Sequence, residues 1–214
     1  AIYDLAKMDY EPSKSLSIAA QAEAQGRDAL ELCYDALIAD GGTGVLIWFS
    51  TGYVDGDLRR KEECIADPGY VMGLGDGGAH VQFICDASFP TFLLTHWGRD
   101  RKQGRKFPVE QLVRKLTADV ADLYGLADRG RLAPGLRADI NVIDFARLSA
   151  NRPYLVSDLP ANATRFMQDS TGYVLTLVNG VPTRRDDAPT PHYPGTLTRK
   201  KAKTPASQTL AEAV

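Results

Sequence analysis

Val71-Met72-Gly73-Leu74-Gly75-Asp76-Gly77-Gly78-Ala79-His80 is the stretch on which the reading of this chain turns: a short apolar run that ends in glycines around one carboxylate. An apolar run of strand length, stopped by glycine, reads as a buried strand, and glycine lets the backbone turn sharply and lie close to whatever sits above it. Asp76 is thereby expected at the carboxyl end of a strand. In a closed α/β barrel that end is the rim that carries the catalytic groups. A carboxylate there can orient or deprotonate a metal-bound water, provided that other ligands are present. The same letters also describe a glycine-rich turn in which Asp76 caps the next segment. Ten residues do not separate the two readings.

Gly73-Leu74-Gly75-Asp76-Gly77-Gly78 also fits the G-x-G-x-x-G spacing of dinucleotide-binding loops. That fingerprint needs a helix opening at the third glycine and an acidic residue ending the next strand about 20 residues on. The segment after Gly78 holds Pro90 and no clean helical period, and Asp100 sits in the polar run Gly98-Arg99-Asp100-Arg101-Lys102. A nucleotide site is therefore set aside.

Outward from this stretch, the chain has 214 residues, 44% hydrophobic and 24% charged, enough for one large domain or two small ones. Its formal net charge is -2, which leaves no basic surplus for phosphate neutralisation, so nucleic acid is excluded as a partner. No apolar stretch approaches the ~20 residues of a membrane span, and Ala1-Ile2-Tyr3-Asp4 does not read as an export signal. Cys33, Cys64 and Cys85 form no C-x-x-C pair. They argue against a disulfide framework or a structural zinc site and fit a reducing, cytoplasmic setting.

In chain order, residues 1–14 read as a loop. Ile18 to Ala24 has high helix propensity and stops at Gly26. Asp28 and Glu31 have capping-box spacing, and Leu30, Cys33, Tyr34, Leu37 and Ile38 fall on one helical face up to Gly41. Val45-Leu46-Ile47-Trp48-Phe49 reads as a strand buried on both faces, and a helix is expected near Leu58 to Ile65. Helix, strand, helix, strand is the alternation that builds parallel sheets and barrels. Two such strands cannot close a barrel alone. Pro108 then opens a helix whose apolar stripe, Leu112 to Tyr124, ends at Gly125. Beyond Asp128 short β-like runs take over: Ile140 to Phe145, and Tyr173 to Val178 meeting Val181 across Asn179-Gly180, a hairpin signal. From about Lys200 the chain reads as a polar tail.

These pieces together resemble the C-terminal portion of the N-acyl-D-amino-acid deacylases (D-aminoacylases) of the amidohydrolase superfamily. The likeness is carried by Gly73-Leu74-Gly75-Asp76-Gly77-Gly78-Ala79-His80, Ile84-Cys85-Asp86-Ala87-Ser88-Phe89-Pro90-Thr91, Leu94-Thr95-His96-Trp97, Leu123-Tyr124-Gly125-Leu126, Leu132-Ala133-Pro134-Gly135, Ala138-Asp139-Ile140-Asn141-Val142-Ile143-Asp144 and Val178-Asn179-Gly180. It runs from roughly Ser17 to Thr198. The fold it implies is α/β: the C-terminal part of a (β/α)8 TIM-like metal-dependent hydrolase barrel over 1–128, with Val71 to Leu74 as its last strand, then a small β-sandwich segment over 129–199 and a tail over 200–214.

By the same resemblance Asp76 is the catalytic carboxylate, moving a proton from metal-bound water to the leaving nitrogen and able to contact the metal, zinc by default. Gly77, Gly78 and His80 of the same loop are the candidate substrate-binding residues, His80 being equally readable as a histidine bonded to backbone. Two departures stand out. The superfamily's H-x-H pair and further histidine ligands are not in this chain, whose histidines are His80, His96 and His192. Residue 75 is glycine where serine commonly precedes the aspartate, and no arginine lies between Asp76 and Thr95 to meet a substrate carboxylate.

The expectation is then part of a metal-dependent amidohydrolase acting on a non-peptide C–N amide bond, with a small N-acylated molecule as substrate. The isolated chain is expected to be inactive without a missing N-terminal half or a partner chain that supplies it. The competing expectation is a non-catalytic interaction module with a barrel-derived fold. His96 with Trp97 is read as rim support, His192 as a surface residue, Cys85 as packing, and Arg99, Arg101 and Arg105 as a solvated charge run that could meet an anion.

Overall fold

Strand β1 (Ile2–Asp4) shows how the chain covers its first apolar run. In this computed structural model, which describes residues 1–53, 55–73 and 75–198, β1 pairs antiparallel with β2 (Leu46–Trp48). The N-terminal stretch that read as a loop is thus partly strand, with Tyr3 and Leu5 buried. Between them lie α1 (Ile18–Gln25) and α2 (Ala29–Gly42). Ser17 Oγ accepts the Ala20 N–H at 3.2 Å, and Asp28 accepts from Leu30 and Glu31 N–H at 2.7 and 3.2 Å, the caps that their sequence positions favour. Gly26, at φ 61, ends α1, and non-helical angles from Ala39 to Gly41 break α2 near the expected glycine stop.

Next come α3 (Arg59–Ala66) and α4 (Phe89–Thr95). The second was hidden by its proline, which sits in the first turn where a missing N–H is harmless. A π-helical turn follows over His96–Asp100. The expected single helix after Pro108 is two, α5 (Val109–Leu116) and α6 (Ala118–Tyr124), divided at Thr117, whose φ of -126 and ψ of -80 are not helical.

The run expected as the last barrel strand does not form one. Val71–Gly73 has no strand pairing, and Leu74 lies outside the described residues. A strand needs a hydrogen-bonded neighbour, and Val71–Gly73 has none; the described strand pairs are all antiparallel, so the parallel alternation read from sequence is corrected here. No helix opens at Gly78 either.

The rest is antiparallel β. In order come β3 (Ile140–Ile143), β4 (Ser149–Ala150), β5 (Tyr154–Val156), β6 (Arg165–Met167), β7 (Ser170–Thr171), β8 (Tyr173–Val178), β9 (Val181–Arg185) and β10 (Ala188–Pro189). The main sheet has the order β10-β9-β8-β3, and β4–β7 and β5–β6 form two smaller ribbons. Asn179 and Gly180, at φ 52 and 78, make the β8–β9 turn, as the Asn-Gly pair foretells.

One core joins the helical and β regions. Trp97, Phe107, Leu112 and Leu148 are buried together, with Ile143, Phe145 and Tyr173 packed against them. It therefore crosses the boundary expected at 128/129. The polar tail expected from Lys200 lies outside the described residues. No helix among the described residues is long and apolar enough to cross a membrane.

Candidate active site

Glycine is required at 75 by contact. A Cβ built there would stand 2.5 Å from the Asp86 carbonyl oxygen, and one at Gly77 would stand 3.1 Å from Ala87. The Asp76 loop is therefore laid directly on the Asp86–Ala87 backbone, which accounts for glycine where a serine is common. Upstream, Lys115 is buried and donates to the Asp67 and Tyr70 carbonyls at 2.9 and 2.8 Å, holding the chain as it enters Val71. Downstream, Phe166 N–H of β6 donates to the Val81 carbonyl at 2.8 Å.

These ties open Asp76 onto a cleft of about 510 Å³. One wall is β2 and its flanks from Val45 to Ser50; the second is the stretch from Phe83 to Phe92; the third comes from Ala150, Pro153, Phe166 and Gln168. Trp48 and Phe83, both largely exposed, face each other with ring centres 5.9 Å apart. Asp86 lines the same cleft. Its carboxyl is raised above the ordinary aspartate value, first by desolvation and then by the negative charge of Asp76. Since Asp86 stays exposed, solvent screens much of that interaction.

Gln168 fixes the opposite wall. Its carbonyl accepts from Ser88 Oγ, and its amide donates to Tyr10 Oη at 3.0 Å and to the Asn151 carbonyl at 2.7 Å. Tyr10 packs edge-on against Phe92 at 5.1 Å, and burial raises its phenol above the usual value. Burial, followed by the charge of Asp86, likewise raises the Cys85 thiol, which disfavours a thiolate nucleophile.

Of the residues singled out from sequence, Asp76 lines the cleft and is exposed. Gly77, Gly78 and His80 are exposed on the turn beside it, His80 with a left-handed φ of 45. His96 is mostly buried, stacks on Phe92 at 4.8 Å and reaches Glu11 Oε2 at 3.1 Å. Arg101 is not on a solvated face. Its side chain is 1% exposed, pairs with both Glu11 oxygens at 2.9 Å and lies over Trp97 at 4.3 Å. Arg99 donates to the Phe145, Ala146 and Leu148 carbonyls, so it clamps the helical region to the β region. Sequence reasoning missed Tyr10, Gln168 and Glu11 as members of these sites, because their partners lie far along the chain, and missed Asp86, which the fold sets on the same cleft as Asp76.

Among the described residues no three His, Cys, Asp or Glu side chains come together as a metal cluster. Those residues do not by themselves hold a zinc ion.

With this geometry in place, the family model for the Amidohydrolase family matches residues 16–184. The chain belongs to the amidohydrolase family. An uncharacterized protein of Mycobacterium tuberculosis is 31% identical over 141 residues, 64% of this chain and 23% of that protein. The N-acyl-D-glutamate deacylase of Alcaligenes xylosoxydans xylosoxydans is 36% identical over 105 residues, 49% of this chain and 20% of that protein. A crystal structure of D-aminoacylase matches with a TM-score of 0.47 and 23% identity, over 89% of this chain and 36% of that one. The chain spans less than a quarter of the length of these two curated relatives. The segment matched to the family includes the Asp76 loop and most of the cleft wall.

Proposed function

We propose that these residues are the C-terminal part of an amidohydrolase that cleaves a non-peptide C–N amide bond, N-acyl-D-amino acids being the substrate class proposed. The observation that carries this reading is that Asp76, in the family-matched segment, opens onto a cleft with apolar walls and few polar groups, the usual build of a small-molecule site. In the proposed reaction Asp76 takes a proton from the attacking water and returns it to the leaving nitrogen. Gly77, Gly78 and His80 border the substrate from the turn. Zinc is the metal proposed for the complete site; apart from Asp76, its ligands would come from outside the described residues. Residues 1–128 are proposed as the end of the (β/α)8 barrel and 129–199 as a segment of the small β domain. A reducing cytoplasm is the proposed compartment.

A missing N-terminal half, or a partner chain that supplies it, is proposed on two grounds. The relatives are far longer than this chain. The apolar stripe of α2 is also bare, with Leu30 at 78% and Tyr34 at 63% exposure, a face that something is expected to cover. The same bare face is what favours the second reading, an interaction module without catalysis. The two are separated by assaying N-acetyl-D-amino acids with added zinc, using the 214-residue chain and the complete protein that carries it. Turnover by the complete protein alone supports the first reading. Turnover by neither supports the second, and equal turnover by both contradicts the fragment claim.

A further inference from the structure

The Asn151 carbonyl can only accept, so the Gln168 atom 2.7 Å from it is the amide nitrogen, Nε2, and the orientation of that amide is fixed. The Gln168 carbonyl then accepts from Ser88 Oγ, and the second amide N–H donates to Tyr10 Oη at 3.0 Å. An amide nitrogen has no lone pair to receive a proton, so Tyr10 is the acceptor in that bond. Its own hydroxyl hydrogen is left over, and none of the described hydrogen bonds takes it. Buried hydroxyls ordinarily find a partner for each role. Tyr10 is half-buried and lines the cleft that holds Asp76, so its unused donor belongs to the wall a ligand would meet. The side chain is also held in place: its ring packs edge-on against Phe92 at 5.1 Å, and the next residue, Glu11, is locked to Arg101 through both carboxylate oxygens at 2.9 Å. Burial raises the phenol, which keeps the hydrogen on Tyr10 through neutral pH. The groups that orient this donor, Gln168, Ser88 and the Asn151 carbonyl, are neutral, so its orientation does not depend on the charge state of Asp76.

We propose that Tyr10 is a substrate-binding donor of this cleft, with Gln168 as its positioning residue, and that its O–H donates to an oxygen of the bound substrate, the amide carbonyl or the carboxylate of an N-acylated amino acid. The proposal deepens the amidohydrolase reading and rests on it for the identity of the substrate. On the carbonyl, a fixed donor strengthens as negative charge develops on the oxygen in the transition state. On the carboxylate, it holds ground state and transition state alike.

The test uses the complete metal-loaded protein and N-acetyl-D-phenylalanine, with the wild type, Tyr10→Phe, Gln168→Glu and the double variant. Tyr10→Phe removes one oxygen and keeps the ring on Phe92. Gln168→Glu replaces the N–H by an acceptor, so the phenol turns its hydrogen onto the new carboxylate and the cleft loses the donor with Tyr10 still present. Each single variant is expected to lose at least about tenfold in kcat/KM with circular dichroism unchanged, and the double variant to stay within about twofold of Tyr10→Phe. A fall in kcat assigns the bond to the carbonyl; a rise in KM assigns it to the carboxylate. Binding is read apart from turnover in the Asp76→Asn protein, by isotope-edited infrared spectra of the same compound labelled at the amide or the carboxylate carbon. One labelled band is expected to shift on binding, and adding Tyr10→Phe is expected to remove most of that shift. A kcat/KM within about twofold of wild type in Tyr10→Phe, bands that Tyr10→Phe leaves unmoved, or no binding up to about 10 mM overturns the proposal. Losses that multiply in the double variant overturn the role of Gln168. The two claims fail separately: a Tyr10-dependent band without hydrolysis by the wild type removes the enzyme reading alone, and hydrolysis indifferent to Tyr10 removes this inference alone.

Discussion

The Arg101 guanidinium is buried against Glu11, 90 positions away, and its Nη1 donates to Glu62 and to the Arg105 carbonyl. Burial pushes the Glu11 carboxyl up, but Arg101 and the Leu58 N–H outweigh it, and the net value is lowered below 4.5. Burial pushes the His96 imidazole below 6.5, against the pull of Glu11. Both folded-state values lie below their unfolded ones, so both contributions to stability are present above the unfolded values and fade as pH falls. Acid is therefore expected to destabilise the chain in two windows, from about pH 6.5 downward through His96 and from about pH 4.5 downward through Glu11. Replacing Glu11 by Gln leaves the buried Arg101 short of a counter-charge and is expected to lower stability by about 3 kcal/mol at pH 7, with a shallower acid slope below about pH 4.5. Urea denaturation across pH measures both; an unchanged midpoint would mean that the pair is not structural.

Among the elements, the local signals survived and the pairing did not. The caps of α1 and α2, the Asn179-Gly180 turn and the glycine stop after Tyr124 are short-range effects written within a few residues, and the structure contains them. Strand β1 depends on β2 across more than 40 positions, and no period within residues 1–14 announces it. The expected strand at Val71 had the right composition and lacked a neighbour. Gly172 shows what long-range packing demands of one position. Its φ is +100, and a Cβ there would meet the Leu148 backbone at 2.7 Å, with no flexible side chain to move aside. Gly172→Ala is expected to cost about 2 kcal/mol or more, because it strains the backbone and pushes β8 off the core. Gly135→Ala, also at positive φ but with open space around it, is expected to cost about 1 kcal/mol. Equal thermal midpoints for the two variants would contradict the close approach.

For the molecule as a whole, motifs pointed to the family, while the cleft required coordinates, since its three walls come from separate parts of the chain. The shared core makes a mechanical claim as well. Leu148 is fully buried, and its cluster includes Trp97 and Leu112 of the helical region. Leu148→Ala is expected to cost about 2–5 kcal/mol and to lower one common unfolding transition. Two separate transitions, with only the β signal moved, would show that the regions fold independently. What the whole arrangement serves, on this account, is to present one carboxylate to an amide. The direct measurement is kcat/KM for N-acyl-D-amino acid hydrolysis by the complete metal-loaded protein, wild type against Asp76→Asn. A fall of about 10²–10⁴-fold with circular dichroism unchanged is the predicted result, and hydrolysis at the wild-type rate would contradict the account.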